Sequence, residues 1–292
     1  MKGIPKTVVI GANSFLGRNF LLSYKSIYPD CVGTTRHPED PNFLDLVNPD
    51  ISSLQLSKKG YQEALILAAM PNIAICENEK NRTRKVNVDG TLSLIRQLVN
   101  LKIRPIFTST DCVFDGIVGN YEDETSPNPI IEYGKQKAEI EKQIKVICGR
   151  NYLTIRLSKV FSLVKGDGSL LDEMANILTS GGTIQAAYNQ VFCPTLVSDL
   201  ISVVLKMQEK NLKGTFNVCS PESWSRYDLA IKLANVIKKD ADNVKRISLD
   251  DLEESFKRPK NTTLSVENLQ EAIDFDFTPV DKSIMNVGQN WK

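Results

Sequence analysis

The chain has 292 residues, 41% hydrophobic and 24% charged, with a formal net charge of +1. That is the composition of an ordinary globular protein with a sizeable core. A nearly neutral chain carries no electrostatic footprint for nucleic acid or an anionic membrane. No apolar run reaches the roughly 18 residues of a membrane span, and the single histidine, His37, cannot build a metal site alone.

The segment Met1-Lys2-Gly3-Ile4-Pro5-Lys6 leads into a strand-like Thr7–Ile10 with no secretory apolar stretch before it, so a cytoplasmic protein is expected. A helical pattern follows over Phe15–Ile27. Next come apolar runs at 31–35 and 64–69, with a short strand-like Asn42-Phe43-Leu44 between them. A helix is expected over 87–101 and a strand over 105–109. A further helix over 133–148 starts after Pro127 and Pro129 and stops at Gly149. Leu153–Leu157 closes the series as a strand. Short, continuously apolar strands alternating with helices predict an α/β fold. It is a Rossmann-type, doubly wound parallel sheet with helices on both faces.

After residue 160 the texture changes. Gly166, Gly168, Gly181 and Gly182 mark loops, and an amphipathic helix is expected over 225–239 with Ser225 as its N-cap. Asp250, Asp251, Glu253 and Glu254 read as an acidic helix start. The expected domains are a dinucleotide-binding unit over 1–160, with a returning segment near 190–220, and a smaller, mainly substrate-binding α/β region over 161–292. Six widely spaced cysteines, at 31, 76, 112, 148, 193 and 219, form no C-x-x-C pair and read as small buried hydrophobes in a reducing compartment.

The loop Gly11-Ala12-Asn13-Ser14-Phe15-Leu16-Gly17 joins the first strand to the first helix. A pyrophosphate binds well at such a turn, because the helix end offers free N–H groups and partial positive charge. Gly11 permits the tight turn, and Gly17 permits close packing of helix on sheet. Ser14 stands where a strict fingerprint has glycine, and its hydroxyl, with Asn13 and Arg36, is expected to donate to cofactor phosphates. The second strand ends Gly33-Thr34-Thr35-Arg36. An acid there would grip ribose hydroxyls, whereas hydroxyls and a guanidinium suit a 2′-phosphate. NADP(H) is therefore favoured over NAD(H). Asp45, with Leu46 beside it, is placed to take the adenine, and Ala68 and Ala69 are small enough to let the cofactor lie on backbone.

Tyr133 and Lys137 lie at i and i+4, hence on one helix face. A cation beside a phenol is expected to lower its pKa and ready it for proton transfer. Thr110 ends an upstream strand, where hydroxyls face the ligand crevice of such sheets. A glycine loop, a strand-end hydroxyl and Y-x-x-x-K together resemble the extended short-chain dehydrogenases/reductases. The residues 109–116, Ser-Thr-Asp-Cys-Val-Phe-Asp-Gly, are similar to the S-T-D-Y-V-F-x-G stretch of the dTDP-4-dehydrorhamnose reductase family. Further similarities to that family are Tyr133-Gly134-Lys135-Gln136-Lys137, Arg156-Leu157-Ser158-Lys159-Val160-Phe161, Gln190 with Pro194-Thr195, and Arg258-Pro259-Lys260-Asn261 with Leu264. Asn87-Val88-Asp89-Gly90-Thr91 matches the wider superfamily and adds Asn87 to the cofactor side.

The resemblance implies NADPH-dependent reduction of the 4-keto group of a nucleotide-linked deoxysugar, dTDP-linked in that family. By position, Tyr133 is the general acid, Lys137 holds the nicotinamide ribose, and Thr110 bonds the carbonyl oxygen. Asp111, Cys112, Ser158, Lys159, Gln190, Arg258 and Asn261 fall on the substrate side, the last with Arg258 toward the diphosphate. Departures from the family pattern are Cys112 for tyrosine, Lys159 for tryptophan, Phe192 for glycine and Ala74 for an acid. They point to a different deoxysugar. The same architecture also serves sugar-nucleotide epimerases and a non-catalytic, NADP-binding regulatory subunit of methionine adenosyltransferase, and a homodimer is among the expected assemblies. Arg36→Asp is expected to shift cofactor preference toward NAD(H), read as the ratio of dissociation constants in a fluorescence titration. An unchanged ratio would mean that the 2′-phosphate is held elsewhere.

Overall fold

A computed structural model describes residues 3–252 and 256–291, so Glu253 and Glu254 of the acidic stretch, like Met1 and Lys2, lie outside the described residues. In chain order the first elements are β1 (Thr7–Ile10), α1 (Phe15–Ile27), β2 (Glu63–Ile66), α2 (Ile73–Asn78) and α3 (Lys80–Arg84). A π-helical turn, Lys85–Gly90, leads into α4 (Thr91–Asn100), then β3 (Arg104–Thr110), α5 (Glu132–Cys148), β4 (Leu153–Leu157) and β5 (Val160–Phe161). There follow α6 (Leu170–Thr179), β6 (Ile184–Ala187), β7 (Val191–Phe192), β8 (Thr195–Leu196), α7 (Val197–Glu209) and β9 (Gly214–Val218). The chain continues through β10 (Trp224–Ser225), α8 (Arg226–Val236), β11 (Val244–Ile247), α9 (Glu267–Ala272) and α10 (Val280–Asn290).

Two compact units result. The first comprises Met1–Val113, Ile131–Arg156 and Val204–Phe216; the second comprises Phe114–Ile130, Leu157–Val203 and Asn217–Lys292. The segment returning to the first unit is thus shorter than the sequence suggests, and residues 114–130 leave it for the second.

The first unit is built on the sheet β1-β2-β3-β4-β9. β1 pairs with β2 and β2 with β3, both parallel. All residues of β1, β2 and β3 are buried, as strands covered on both faces must be. The apolar run at 31–35 is not a full strand. It touches β1 through the parallel bridge Val9↔Gly33, and Thr35 in turn bridges Phe43. These edge bridges still set the order on both sides of β1, so the winding reverses at β1, as in a doubly wound sheet. The helix expected over 87–101 begins earlier, at Lys80, and is interrupted by the π-helical turn.

A buried polar network ties the returning segment to the sheet. Arg104 Nε donates to Glu63 Oε1 at 2.7 Å, and its Nη1 donates to the Leu212 carbonyl at 2.7 Å. Gln208 Nε2 donates to Thr7 Oγ1 at 2.8 Å and also to Glu63, while Gln208 Oε1 accepts from the Tyr24 hydroxyl at 2.7 Å. Every member is satisfied, which is the condition for keeping such charges in a core.

The second unit has its own core, including Phe161, Leu171, Met174, Phe192, Leu229, Leu233, Ile284 and Trp291. It carries three two-stranded ladders, β5 with β8, β6 with β11 and β7 with β10. Ser225 caps α8, its hydroxyl accepting from the Asp228 N–H at 2.9 Å. Among the described residues, no helix is long and apolar enough to cross a membrane.

Arg104→Met alone should cost about 3–5 kcal/mol in denaturant unfolding, because it strands the Glu63 carboxylate in the core. Adding Glu63→Leu should recover much of that loss. A double variant as unstable as the summed single variants would show that the pair does not act as a unit.

Candidate functional site

Strand β1 ends at Gly11, where φ is +91°. An added Cβ there would lie 2.8 Å from the Ala68 nitrogen, so the backbone of the glycine loop rests on the end of the neighbouring strand. At Gly17 it would lie 2.2 Å from the Gly11 carbonyl, and the first turn of α1 closes onto the loop. Ser14 is the helix N-cap. Its hydroxyl accepts from the Gly17 N–H at 3.0 Å and donates to the Gly11 carbonyl at 2.9 Å. The Ser14 hydroxyl proton, expected to go to a cofactor phosphate, is directed to the Gly11 carbonyl in this structure. The first-turn N–H groups of Phe15 and Leu16 have no intrahelical acceptor, and these are the donors such a turn offers to an anion.

Gly11, Asn13, Ser14, Arg36, Asp45, Leu46, Ala68 and Ala69 all line one cavity of about 660 Å³ in the first unit. Asp45 Oδ1 accepts from the Val47 N–H at 2.9 Å. Three further basic side chains line the same cavity, His37, Arg82 and Lys85. Arg82 is held by Glu79 at 2.6 Å. The signal for Arg82 and Lys85 was the basic run Lys80-Asn81-Arg82-Thr83-Arg84-Lys85, which falls between two expected elements, and His37 directly follows Arg36.

Asn87 lies elsewhere, in the π-helical turn and only 2% exposed. Its Oδ1 accepts from the Met70 N–H at 2.7 Å and its Nδ2 donates to the Met70 carbonyl at 3.0 Å. Instead of facing the cofactor cavity, Asn87 clamps a peptide that lines it, because the π-helical turn directs the side chain inward.

Helix α5 carries Tyr133 and Lys137 onto the end of β3. Lys137 Nζ donates to the Thr108 carbonyl at 2.8 Å. It also stands 4.6 Å from the Phe107 ring centre and 5.8 Å from that of Tyr133. Thr110 is buried; its hydroxyl donates to Asp111 Oδ1 at 3.1 Å and accepts from the Cys112 N–H at 3.2 Å. Lys137 is expected to lower the tyrosine pKa. The structure reverses this. Burial pushes the Tyr133 phenol well above its usual range, with Cys112, Cys76 and Asp111 adding to the effect. Burial also brings the Lys137 amine down to about 8, against an opposing pull from Glu141. The phenol therefore stays protonated across the physiological range.

The remaining expected residues lie in the second unit. Ser158 Oγ accepts from the Cys193 N–H at 3.1 Å, and the Lys159 carbonyl accepts from the Thr195 N–H at 2.8 Å. The Gln190 carbonyl accepts from the Arg226 N–H at 2.9 Å. The Arg258 guanidinium sits 5.5 Å from the Phe256 ring centre. Asn261 is held in a turn: its Nδ2 donates to the Val118 carbonyl at 3.1 Å and its Oδ1 accepts from the Thr263 hydroxyl at 2.8 Å. Phe192, which stands where the family pattern has glycine, is buried in the second core.

A sheet wound in both directions from β1, a capped helix behind a glycine turn, and a tyrosine–lysine pair at the end of β3 define a Rossmann-like protein of the nucleotide-binding α/β class. The profile of the RmlD substrate binding domain matches residues 5–291, and the chain belongs to that family. The chain is similar to the probable low-salt glycan biosynthesis reductase of Haloferax volcanii, 28% identical over 273 residues, with 90% of each chain covered. It is also 25% identical over 278 residues to methionine adenosyltransferase 2 subunit beta of Bos taurus, covering 91% of this chain and 81% of that protein. Among solved structures, dTDP-4-dehydrorhamnose reductase of Bacillus anthracis in complex with NADP superposes with a TM-score of 0.84 at 22% identity, over 99% of this chain and 98% of that one. At that identity the likeness shows the fold.

The two pKa directions are measurable. Between pH 8 and 10.5 the unfolded chain holds a proton on Lys137 that the folded protein has released. Stability from this group therefore rises with pH across that window and is flat below it. The Tm difference between wild type and Lys137→Met should move in favour of wild type over the same range. A constant difference would mean that burial does not depress the amine.

Proposed function

We propose that this protein is an NADPH-dependent reductase of a nucleotide-linked 4-keto deoxysugar. The observation that carries the reading is the Lys137 ammonium bound to the Thr108 carbonyl beside Tyr133, in the same unit as the glycine-loop cavity. The cavity fits a dinucleotide: a Cβ at Gly11 would fill its cradle, and the first turn of α1 supplies N–H donors. Arg36 would hold the 2′-phosphate and Asp45 the adenine. NADPH, when bound, supplies hydride. The protein supplies position and a proton. Tyr133, protonated through burial, gives its proton to the oxygen that becomes alkoxide. Lys137 would hold the cofactor ribose, and it stands as a cation beside the phenol. Thr110 turns its hydroxyl from Asp111 to the carbonyl oxygen, stabilising charge as it develops there.

The relatives support a reductase working on nucleotide sugars, since one is a probable glycan-biosynthesis reductase and another, of Aggregatibacter actinomycetemcomitans, is a dTDP-4-dehydrorhamnose reductase. A second reading, a non-catalytic NADP-binding subunit, is favoured by one observation: the methionine adenosyltransferase beta subunit aligns with 91% of this chain. NADPH oxidation with a panel of dTDP-linked 4-keto deoxysugars separates the two. Wild type should turn over at least one of them, and Tyr133→Phe should lose about 100- to 10,000-fold in kcat with little change in NADPH affinity. Binding of NADPH without turnover of any panel member, together with co-purification of a methionine adenosyltransferase catalytic subunit, would overturn the reductase reading.

A further inference from the structure

We infer that Gln136 is a positioning residue, the middle link of a buried amide chain that fixes the catalytic face of α5 against the cavity wall at Met70. The inference rests on the roles proposed above for Tyr133 and Lys137.

Gln136 lies between those two residues in sequence but points to the opposite partners, and it is 1% exposed. Its Oε1 accepts from Asn87 Nδ2 at 2.8 Å. Its Nε2 donates to the Thr83 hydroxyl at 3.0 Å and to Glu132 Oε1 at 3.2 Å. Asn87 spends its second amide proton on the Met70 carbonyl and accepts from the Met70 N–H. Met70 itself lines the cofactor cavity. One unbroken chain thus runs from a cavity-lining peptide through two side-chain amides to α3 and back to the first residue of α5.

The chain has one polarity. Turning either amide over would bring nitrogen against nitrogen or oxygen against oxygen, so the donors and acceptors fix each other's orientation. In a buried site such a chain is stiff, and its members strengthen one another. The first turn of α5 receives a second restraint, the Glu77 carboxylate accepting the Glu132 N–H at 2.6 Å. Tyr133 and Lys137 sit within this clamped stretch. Their distance from the cofactor wall is therefore set by side chains that do not themselves line the cavity.

Gln136→Leu keeps the volume and removes every bond. In a protein that remains folded by circular dichroism, it should raise the exchange rate of the Met70 amide hydrogen by about tenfold, while amides in β1 and β2 keep their protection. Gln136 does not touch Met70, so a merely local packing role would leave that rate unchanged. In turnover, kcat should fall about 10- to 100-fold with the NADPH dissociation constant little altered. Asn87→Ala should have the same effect, and the double variant should be no worse than the more damaged single one. If Gln136→Leu does not fold, Gln136→Met and Thr83→Val carry the same test. An unchanged Met70 exchange rate in a folded variant overturns the inference. If wild type shows no turnover, the reductase reading fails, and the hydrogen-exchange result still decides whether the amide chain exists.

Discussion

A buried ammonium needs an acceptor, and here it finds one at the end of a strand. Lys137 donates a hydrogen bond to the Thr108 carbonyl and lies over the Phe107 ring, so α5 is pinned to β3 at one point deep in the first unit. Everything chemical in that unit follows from the pin. Tyr133 is one helical turn away on the same face, and Thr110 is two residues along the same strand. Desolvation sets the tone: it drives the phenol up and the amine down, so the phenol remains a proton donor and the amine sits at about 8.

Other side chains of the same helix do different work. Glu141, one turn beyond Lys137, takes Arg156 of β4 in a buried ion pair with a shortest contact of 2.8 Å. Gln136 reaches toward Asn87 and Thr83. Glycine governs the neighbouring strand ends, because the backbone at Gly11 must come closer to Ala68 than any side chain allows. The capping serine then spends its hydroxyl within the loop. The site is thus assembled from two rigid contacts, a glycine against an alanine and a lysine against a carbonyl, with the buried Arg104–Glu63 pair holding the strands between them.

Much of this was legible in the residues. Continuous apolar runs announced buried strands at Thr7–Ile10 and Leu153–Leu157, and the i, i+4 spacing of Tyr133 and Lys137 announced a shared face. Other features were not legible, for identifiable reasons. The run at 31–35 has the composition of a strand, but its ladder pairing is limited to the isolated bridges Val9↔Gly33 and Thr35↔Phe43. The π-helical turn at Lys85–Gly90 leaves no periodicity signal, since one extra residue shifts the face without changing composition. Arg82 and Lys85 look like solvated helix charges until the turn brings them to the cavity.

The sequence by itself determined the fold class, the place of the glycine turn and the identity of the tyrosine–lysine pair. All three are encoded locally, in strand and helix periodicity and in short spacings that a single element carries. Only the tertiary structure decided what each polar atom is bonded to. It gave Asn87 to Met70, Asn261 to the Val118 carbonyl and Phe192 to a core, and it reversed the direction in which the Tyr133 pKa is shifted. The reason is that hydrogen-bond partners and desolvation depend on residues distant in sequence, and no local pattern records how deeply a group will be buried or which carbonyl will face it.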